Sequence, residues 1–219
     1  MKRGGRLFYV GCGTSGRIGV LDAAECPPTY GVSPDLVVGI MAGGNDALAK
    51  GLEDYEDDEN AGHCSICENF VNHNDTVIGL SVAGGAAFVI GALKEAKCRA
   101  AYTVALTCNE ETPITSLADD CIIPNTGAEV ITGSTRMKAG TAQKMILNMI
   151  STGVMIKQNY VYENLMIHVQ PSNQKLRDRM KRIVVMLTNC DEASAEKFLK
   201  DNGWDITKAV DSIKKSITA

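Results

Sequence analysis

Three sets of residues in this chain carry groups able to do chemistry. The first is Gly11-Cys12-Gly13-Thr14-Ser15-Gly16, which follows the β-rich run Arg6 to Val10 and precedes an apolar helical pattern through Ile18, Leu21 and Ala24. A strand feeding a helix through such a loop aims backbone N–H groups and two hydroxyls at the positive end of a helix dipole, which is a phosphate cradle. Gly11, Gly13 and Gly16 satisfy G-x-G-x-x-G, but the P-loop lysine is missing. Met41-Ala42-Gly43-Gly44 also stands where a dinucleotide site places an acidic residue. A sugar or nucleotide phosphate, a dinucleotide and a structural turn all stay open on pattern alone. The second set is Thr132-Gly133-Ser134-Thr135, followed by Arg136 and Lys138 and read as the opening of a long helix. Its hydroxyls suit a helix cap and an anion site equally, since both use the same N–H groups.

The third set is the carboxylates. Glu25 ends an otherwise apolar helix ahead of Cys26-Pro27-Pro28, and a buried or cleft position there would raise its pKa and suit it to general acid work. The run Glu53-Asp54-Tyr55-Glu56-Asp57-Asp58-Glu59 reads as a solvated helix end in which spacing singles out no catalytic member. Cys64 and Cys67 form C-x-x-C, with His63 adjacent and His73 nearby. A second cysteine pair is missing and the histidine spacing fits no common finger, so the expectation is a half-exposed helix and no metal. Cys12, Cys26, Cys98, Cys108 and Cys121 sit singly in or beside apolar runs and read as reduced core residues.

These groups need a frame to hold them. Short apolar runs at Leu36 to Met41, Thr76 to Ser81, Tyr102 to Thr107 and Cys121 to Ile123 alternate with helical patterns, among them Asp46 into the acidic run and Ala86 to Lys97. That alternation predicts an α/β fold, a three-layer parallel sheet flanked by helices. A long helix through Met137, Met145, Met149 and Val154 follows, then one after Pro171, then two short helices opened by Asp191 and Asp205. The expected division is a domain over 1–187 and a helical module over 188–219.

Composition narrows the function. With 219 residues, 45% hydrophobic and 22% charged, the chain is globular, and 22 Lys plus Arg against 26 Asp plus Glu give a net charge of −4. Nucleic acid is therefore excluded as an expected partner. Apolar runs are too short for a membrane span and the start leads directly into a strand, so a soluble, cytoplasmic protein is expected.

Longer stretches resemble a known family. Gly11 to Arg17, Leu21-Asp22-Ala23-Ala24-Glu25-Cys26-Pro27-Pro28-Thr29-Tyr30-Gly31, Ala42-Gly43-Gly44 and Glu129 to Lys144 are similar to the N-acetylmuramic acid 6-phosphate etherases, with further similarity at Asn164-Leu165-Met166 and Asn173 to Arg177. The similarity spans about residues 4 to 187 and implies the sugar isomerase (SIS) fold, also found in the glucokinase regulatory protein. It implies loss of D-lactate from C3 of N-acetylmuramic acid 6-phosphate by elimination and hydration, in cell-wall amino-sugar recycling, without cofactor or metal. By position it makes Glu25 the proton donor to lactate and Glu56 the base. It assigns substrate contacts to Gly13, Thr14, Ser15, Gly16, Ser81, Gly84, Glu129, Thr132, Ser134, Thr135 and Lys138. A homodimer with a shared site is the expected assembly.

Two features depart from the family. Its Ser-x-Ser-Gly-Arg-Thr-Pro loop is here Ser81-Val82-Ala83-Gly84-Gly85-Ala86-Ala87, which drops hydroxyls and a cation expected to face phosphate, and its helical segment ahead of the first strand has no counterpart in these residues. A non-catalytic sugar-phosphate sensor resembling the glucokinase regulatory protein, or a sugar-phosphate isomerase, is the alternative. The last thirty-odd residues, with Phe198, Leu199, Gly203-Trp204-Asp205 and Ile213, resemble a three-helix UBA-like module suited to a protein contact or an oligomer brace.

Overall fold

Five short strands, β1 (Leu7–Gly11), β2 (Val37–Met41), β3 (Thr76–Leu80), β4 (Tyr102–Leu106) and β5 (Asp120–Ile122), pair in parallel in the order β2-β1-β3-β4-β5. This is seen in a computed structural model that describes every residue except Lys2 and Ala219. Two units make up the chain, one of residues 1–25 and 33–151 and the other of residues 26–32 and 152–219.

In the first unit β1 is flanked by strands on both sides, and all five of its residues are buried. A strand covered on both faces reads as a continuous apolar run, which is what Leu7-Phe8-Tyr9-Val10 is. Phe8 and Val10 join Val77, Phe88, Val89, Leu93 and Ile66 in one core beneath α3 (Glu59–Glu68) and α4 (Ala87–Cys98). On α1 (Gly13–Tyr30), Ser15 and Asp22 hydrogen-bond to α6 (Lys138–Lys157). The short helices α2 (Asp46–Ala49) and α5 (Pro113–Leu117) complete the unit.

Three local expectations are corrected. The first helix does not stop near Ala24 but runs through Pro27 and Pro28 to Tyr30. Proline's fixed φ is already helical, and the Gly31 N–H closes the turn on the Pro27 carbonyl at 2.8 Å. The acidic run is not a helix end either. It is a 3₁₀ turn, Glu53–Asp57, set apart from α3 because the Asp58 side chain accepts from the Ala61 N–H at 2.8 Å and starts a new helix. Finally, all eight cysteines are free, but only Cys12 and Cys26 are fully buried, while Cys98 and Cys121 are exposed. Cys98 is the last residue of α4 and Cys121 lies on the edge strand β5, where an apolar neighbourhood in sequence does not bring cover.

In the second unit a two-stranded hairpin, β6 (Val161–Tyr162) and β7 (Leu165–Met166), precedes α7 (Gln174–Thr188), α8 (Glu192–Asp201) and α9 (Ile206–Thr218). Met180, Val184, Leu199, Ile206, Ala209 and Ile213 form its core. Asn173 and Asp191 cap α7 and α8 by accepting from backbone N–H groups, and Asn189 ends α7 in the left-handed conformation. Among the described residues no helix is long and apolar enough to cross a membrane.

The register of β1 on β3 is fixed below both strands by an ion pair. Arg6 donates to Asp75 Oδ2 at 2.7 Å and its backbone N–H to Oδ1 at 2.8 Å, while the Asn72 N–H reaches Oδ2 at 3.0 Å. Burial raises the Asp75 pKa, but the Arg6 and Asn72 hydrogen bonds outweigh it and hold the carboxyl below its usual range. A lowered native pKa stabilises the fold above the unfolded carboxylate value and loses that contribution as pH falls through the native one. Asp75→Asn should therefore lower unfolding stability by about 3 kcal/mol at pH 7, and by progressively less as pH falls below the ordinary carboxylate range. Urea melts across that range check this, and a pH-independent difference would refute it.

Candidate active site

The turn from β1 into α1 is as tight as backbone allows. A Cβ on Gly11 would lie 2.8 Å from the Gly16 nitrogen and one on Gly16 would lie 2.5 Å from the Gly11 carbonyl oxygen, while Gly13 takes φ +50°. Only glycine fits this crossing. The first N–H groups of α1 are left without intrahelical partners at the helix's positive end, directly beyond the carboxyl end of β1.

A cleft of about 550 Å³ opens there, within the first unit. Cys12, Gly13 and Thr14 form one wall, Gly133, Ser134, Thr135 and Arg136 a second, and Gly51, Leu52, Glu56 and Asp57 a third, with Met41 and Arg17 completing it. Of the residues expected from sequence, the structure thus brings together Gly13, Thr14, Ser134, Thr135 and Glu56. The walls carry hydroxyls and N–H groups on one side and two carboxylates on the other. Burial first, then the Glu56 and Asp57 charges, push the Cys12 thiol up to about 12, so it stays a neutral thiol.

Other expected residues lie elsewhere. Ser15 is buried, its Oγ donating to Gln143 Oε1 at 2.8 Å, and Gly16 is packed on Gly11. Ser81 Oγ accepts from the Gly84 N–H at 3.1 Å, so the loop after β3 closes on itself, and neither residue lines the cleft. Thr132 and Lys138 are exposed outside the lining, and the Lys138 Nζ donates to the Ala128 carbonyl at 2.7 Å.

One more expectation needs correcting. Thr132 to Thr135 do not open the long helix, which starts at Lys138. Its first N–H groups are capped by Glu129, whose carboxylate accepts from Lys138 N at 3.1 Å and Ala139 N at 3.0 Å, and these bonds hold the Glu129 pKa below its usual range. Freed from capping, the Ser134 and Thr135 stretch is left to line the cleft. Glu25 is exposed and lines no part of this cleft. It lies ten residues beyond Ser15 on α1, roughly 15 Å along the axis.

Sequence reasoning gave no role to Arg17, which does two jobs. It borders the cleft, and its guanidinium donates to the carbonyls of Leu48 at 2.9 Å and of Ala47 and Lys50 at 2.6 Å, pinning the chain that leads into the Gly51 to Asp57 wall. The signal available in sequence was its place one turn into the helix after the glycine loop.

The two hydroxyl walls belong to the approaches of α1 and α6, and buried polar bonds join these helices. Besides Ser15 to Gln143, Asp22 Oδ1 accepts from Asn148 Nδ2 and from Ser151 Oγ at 3.0 Å. Gln143 is fully buried and its Nε2 has no partner among the described residues. Ser15→Ala should cost about 1 to 3 kcal/mol by stranding the Gln143 amide, and adding Gln143→Leu should return part of it. Urea denaturation of both single variants and the double tests this; a Ser15→Ala chain of unaltered stability would show that the hydroxyl faces the cleft instead.

Comparison with known proteins follows the same lines. Residues 1–97 match the family model of the glucokinase regulatory protein N-terminal SIS domain, residues 59–152 that of the SIS domain, and residues 184–213 that of a UBA-like domain. The chain is 52% identical over 210 residues to the N-acetylmuramic acid 6-phosphate etherase of Caldanaerobacter subterraneus subsp. tengcongensis, covering 96% of this chain and 69% of that protein. It is 51% identical over 210 residues to the enzyme of the same name from Bacillus pumilus, with the same coverage. Among solved structures, a Bacteroides fragilis protein described as a phosphosugar isomerase involved in capsule formation shares the fold, with TM-score 0.55 and 20% identity over 74% of this chain and 75% of its own. A protein of E. coli CFT073, solved as a ligand complex, does so at TM-score 0.52 and 15% identity, over 74% of each chain.

Proposed function

The chain belongs to the N-acetylmuramic acid 6-phosphate etherase family, and on that footing we propose that it cleaves the D-lactyl ether of N-acetylmuramic acid 6-phosphate to N-acetylglucosamine 6-phosphate and D-lactate. The observation that carries the reading is the pairing, in one cleft, of the α1 N-terminus and the Thr14, Ser134 and Thr135 segments with the Glu56 carboxylate. A sugar phosphate anchored on the N–H groups and hydroxyls presents its carbon chain toward the carboxylate wall. In the open-chain aldehyde the C2 proton is acidic. Glu56 removes it, the C3–O bond breaks, and a second carboxyl protonates the departing lactate. Water then adds at C3 while C2 regains a proton, so no redox partner enters the balance.

Glu25 is the proposed proton donor, and it acts from a second subunit. C3 of a hexose 6-phosphate lies only about 5 to 6 Å from phosphorus by ordinary bond lengths, well short of the roughly 15 Å between Ser15 and Glu25 along one helix. A two-fold dimer brings equivalent surfaces together reciprocally and delivers the partner's carboxylate to each cleft. Leu21, one turn before Glu25, is exposed and stands beside it on the surface that such a contact would cover. The altered loop after β3 matters less on this reading, because it does not border the cleft. We place the activity in cytoplasmic amino-sugar recycling, in keeping with eight free cysteines.

Turnover in ¹⁸O-labelled, deuterated water tests the chemistry. Elimination and hydration put solvent oxygen on C3 and deuterium on C2 of the sugar product, whereas cleavage on the lactyl side leaves both positions unlabelled. Mixing Glu56→Gln chains with Glu25→Gln chains, each inactive alone, tests the assembly. Random pairing makes half the dimers mixed, with one native site of two, so about one quarter of full activity should return; no recovery despite demonstrated subunit exchange contradicts the shared site.

A further inference from the structure

The His63 and Cys67 motif lies outside the cleft, on α3, and the fold surrounds it with charged partners. The backbones of α3 and α4 cross in contact: a Cβ on Gly62 would fall 1.9 Å from the Phe88 carbonyl oxygen, and one on Gly91 1.9 Å from that of Glu59. So close a crossing lets long side chains of both helices meet beyond it. His63 and Cys67 stand one turn apart on α3, and Arg99, the residue that follows α4, stands one turn beyond Glu95. Cys67 Sγ lies 3.6 Å from His63 Nε2, and His63 Nδ1 lies 3.1 Å from Glu95 Oε2. Arg99 donates from Nε to Glu95 Oε1 at 2.6 Å and from Nη2 to Cys67 Sγ at 3.2 Å.

We infer that Cys67 is a nucleophilic thiol and a modification site for low-molecular-weight disulfides, with His63 as its base, Glu95 orienting His63, and Arg99 holding the thiolate. Nucleophile, base and orienting carboxylate form one hydrogen-bonded cluster in which His63 reaches both Cys67 and Glu95, and a base so placed is how enzymes activate thiols. Cys67 Sγ also donates to Glu95 Oε1 at 3.4 Å, so moving the Cys67 proton to His63 leaves two anions side by side, Cys67 and Glu95, with the Arg99 guanidinium bridging both and His63 beside both. The Arg99 hydrogen bond holds the Glu95 carboxyl below its usual range despite opposing desolvation, so the orienting group is ionised. The site is reachable, for the His63 side chain is 49% exposed and Cys67 is half-buried.

His63, Cys67 and Glu95 are also close enough together to suggest a metal. Arg99 argues against it, because a guanidinium already bridges the sulfur and the carboxylate that an incoming cation would need. In the proposed reaction the Cys67 thiolate attacks one sulfur of a disulfide. A mixed disulfide forms as the original S–S bond breaks, and the leaving thiolate takes the proton from the His63 imidazolium.

The test uses the full chain with glutathione disulfide and follows each cysteine by peptide mass mapping. Cys67 should be modified at least about ten-fold faster at pH 7 than exposed Cys98 and Cys121. His63→Gln should bring Cys67 to the rate of Cys98, and Glu95→Gln, which keeps an acceptor for Nδ1, should fall between. Buried Cys12 and Cys26 staying unmodified shows that each variant is folded. Equal rates at Cys67 and Cys98, or a His63→Gln chain in which Cys67 reacts as fast as in the parent, would overturn the proposal. So would a cobalt(II)–thiolate absorption band that disappears in Cys67→Ser.

Discussion

The cleft depends on buried hydrogen bonds between two helices that are distant in sequence. Thr14 sits at the start of α1 and Ser134 just ahead of α6, and Ser15 to Gln143 together with Asp22 to Asn148 and Ser151 determine how those starts align. Apolar packing alone tolerates sliding between helices, whereas a buried polar pair is satisfied in one register and costly in every other. The glycine contact between Gly11 and Gly16 ties the same helix to the sheet. Helix starts, sheet edge and cleft are thereby held as one geometry.

Charge is distributed to match. The anion-accepting side carries helix-terminal N–H groups, hydroxyls and Arg136, the opposite side carries Glu56 and Asp57, and a second bordering cation, Arg17, is committed to backbone carbonyls. A substrate with phosphate at one end and a reacting carbon some bonds away fits such polarity in one orientation. The neutral Cys12 thiol leaves proton transfer to the carboxylates.

The glycine loop, the parallel strands and the capped terminal helices were legible in sequence because each rests on local chemistry: positive φ, β-branched runs, and side chains that cap within three residues. What was not legible depends on contacts between distant segments. Glu129 caps α6 from nine residues away across a loop, so the local sequence alone does not show which of two tasks, cap or cleft wall, the hydroxyls of Ser134 and Thr135 take. The wall at Gly51 and Leu52 carries no reactive group and is recognisable only once Arg17 fixes the preceding chain. Cys98 and Cys121 looked buried from their neighbours, but a helix end and an edge strand leave them exposed. Glu95 and Arg99 gave no sign of meeting the cysteine motif, because only the Gly62 and Gly91 crossing brings them there.

The central claim is that a phosphate held at the α1 N-terminus places an ether-bearing sugar against the carboxylate wall. Release of D-lactate from N-acetylmuramic acid 6-phosphate, measured beside the same sugar without phosphate, tests it most directly. The account predicts turnover of the phosphorylated sugar and little or none of the other. Absence of D-lactate, or equal release from both sugars, would contradict it.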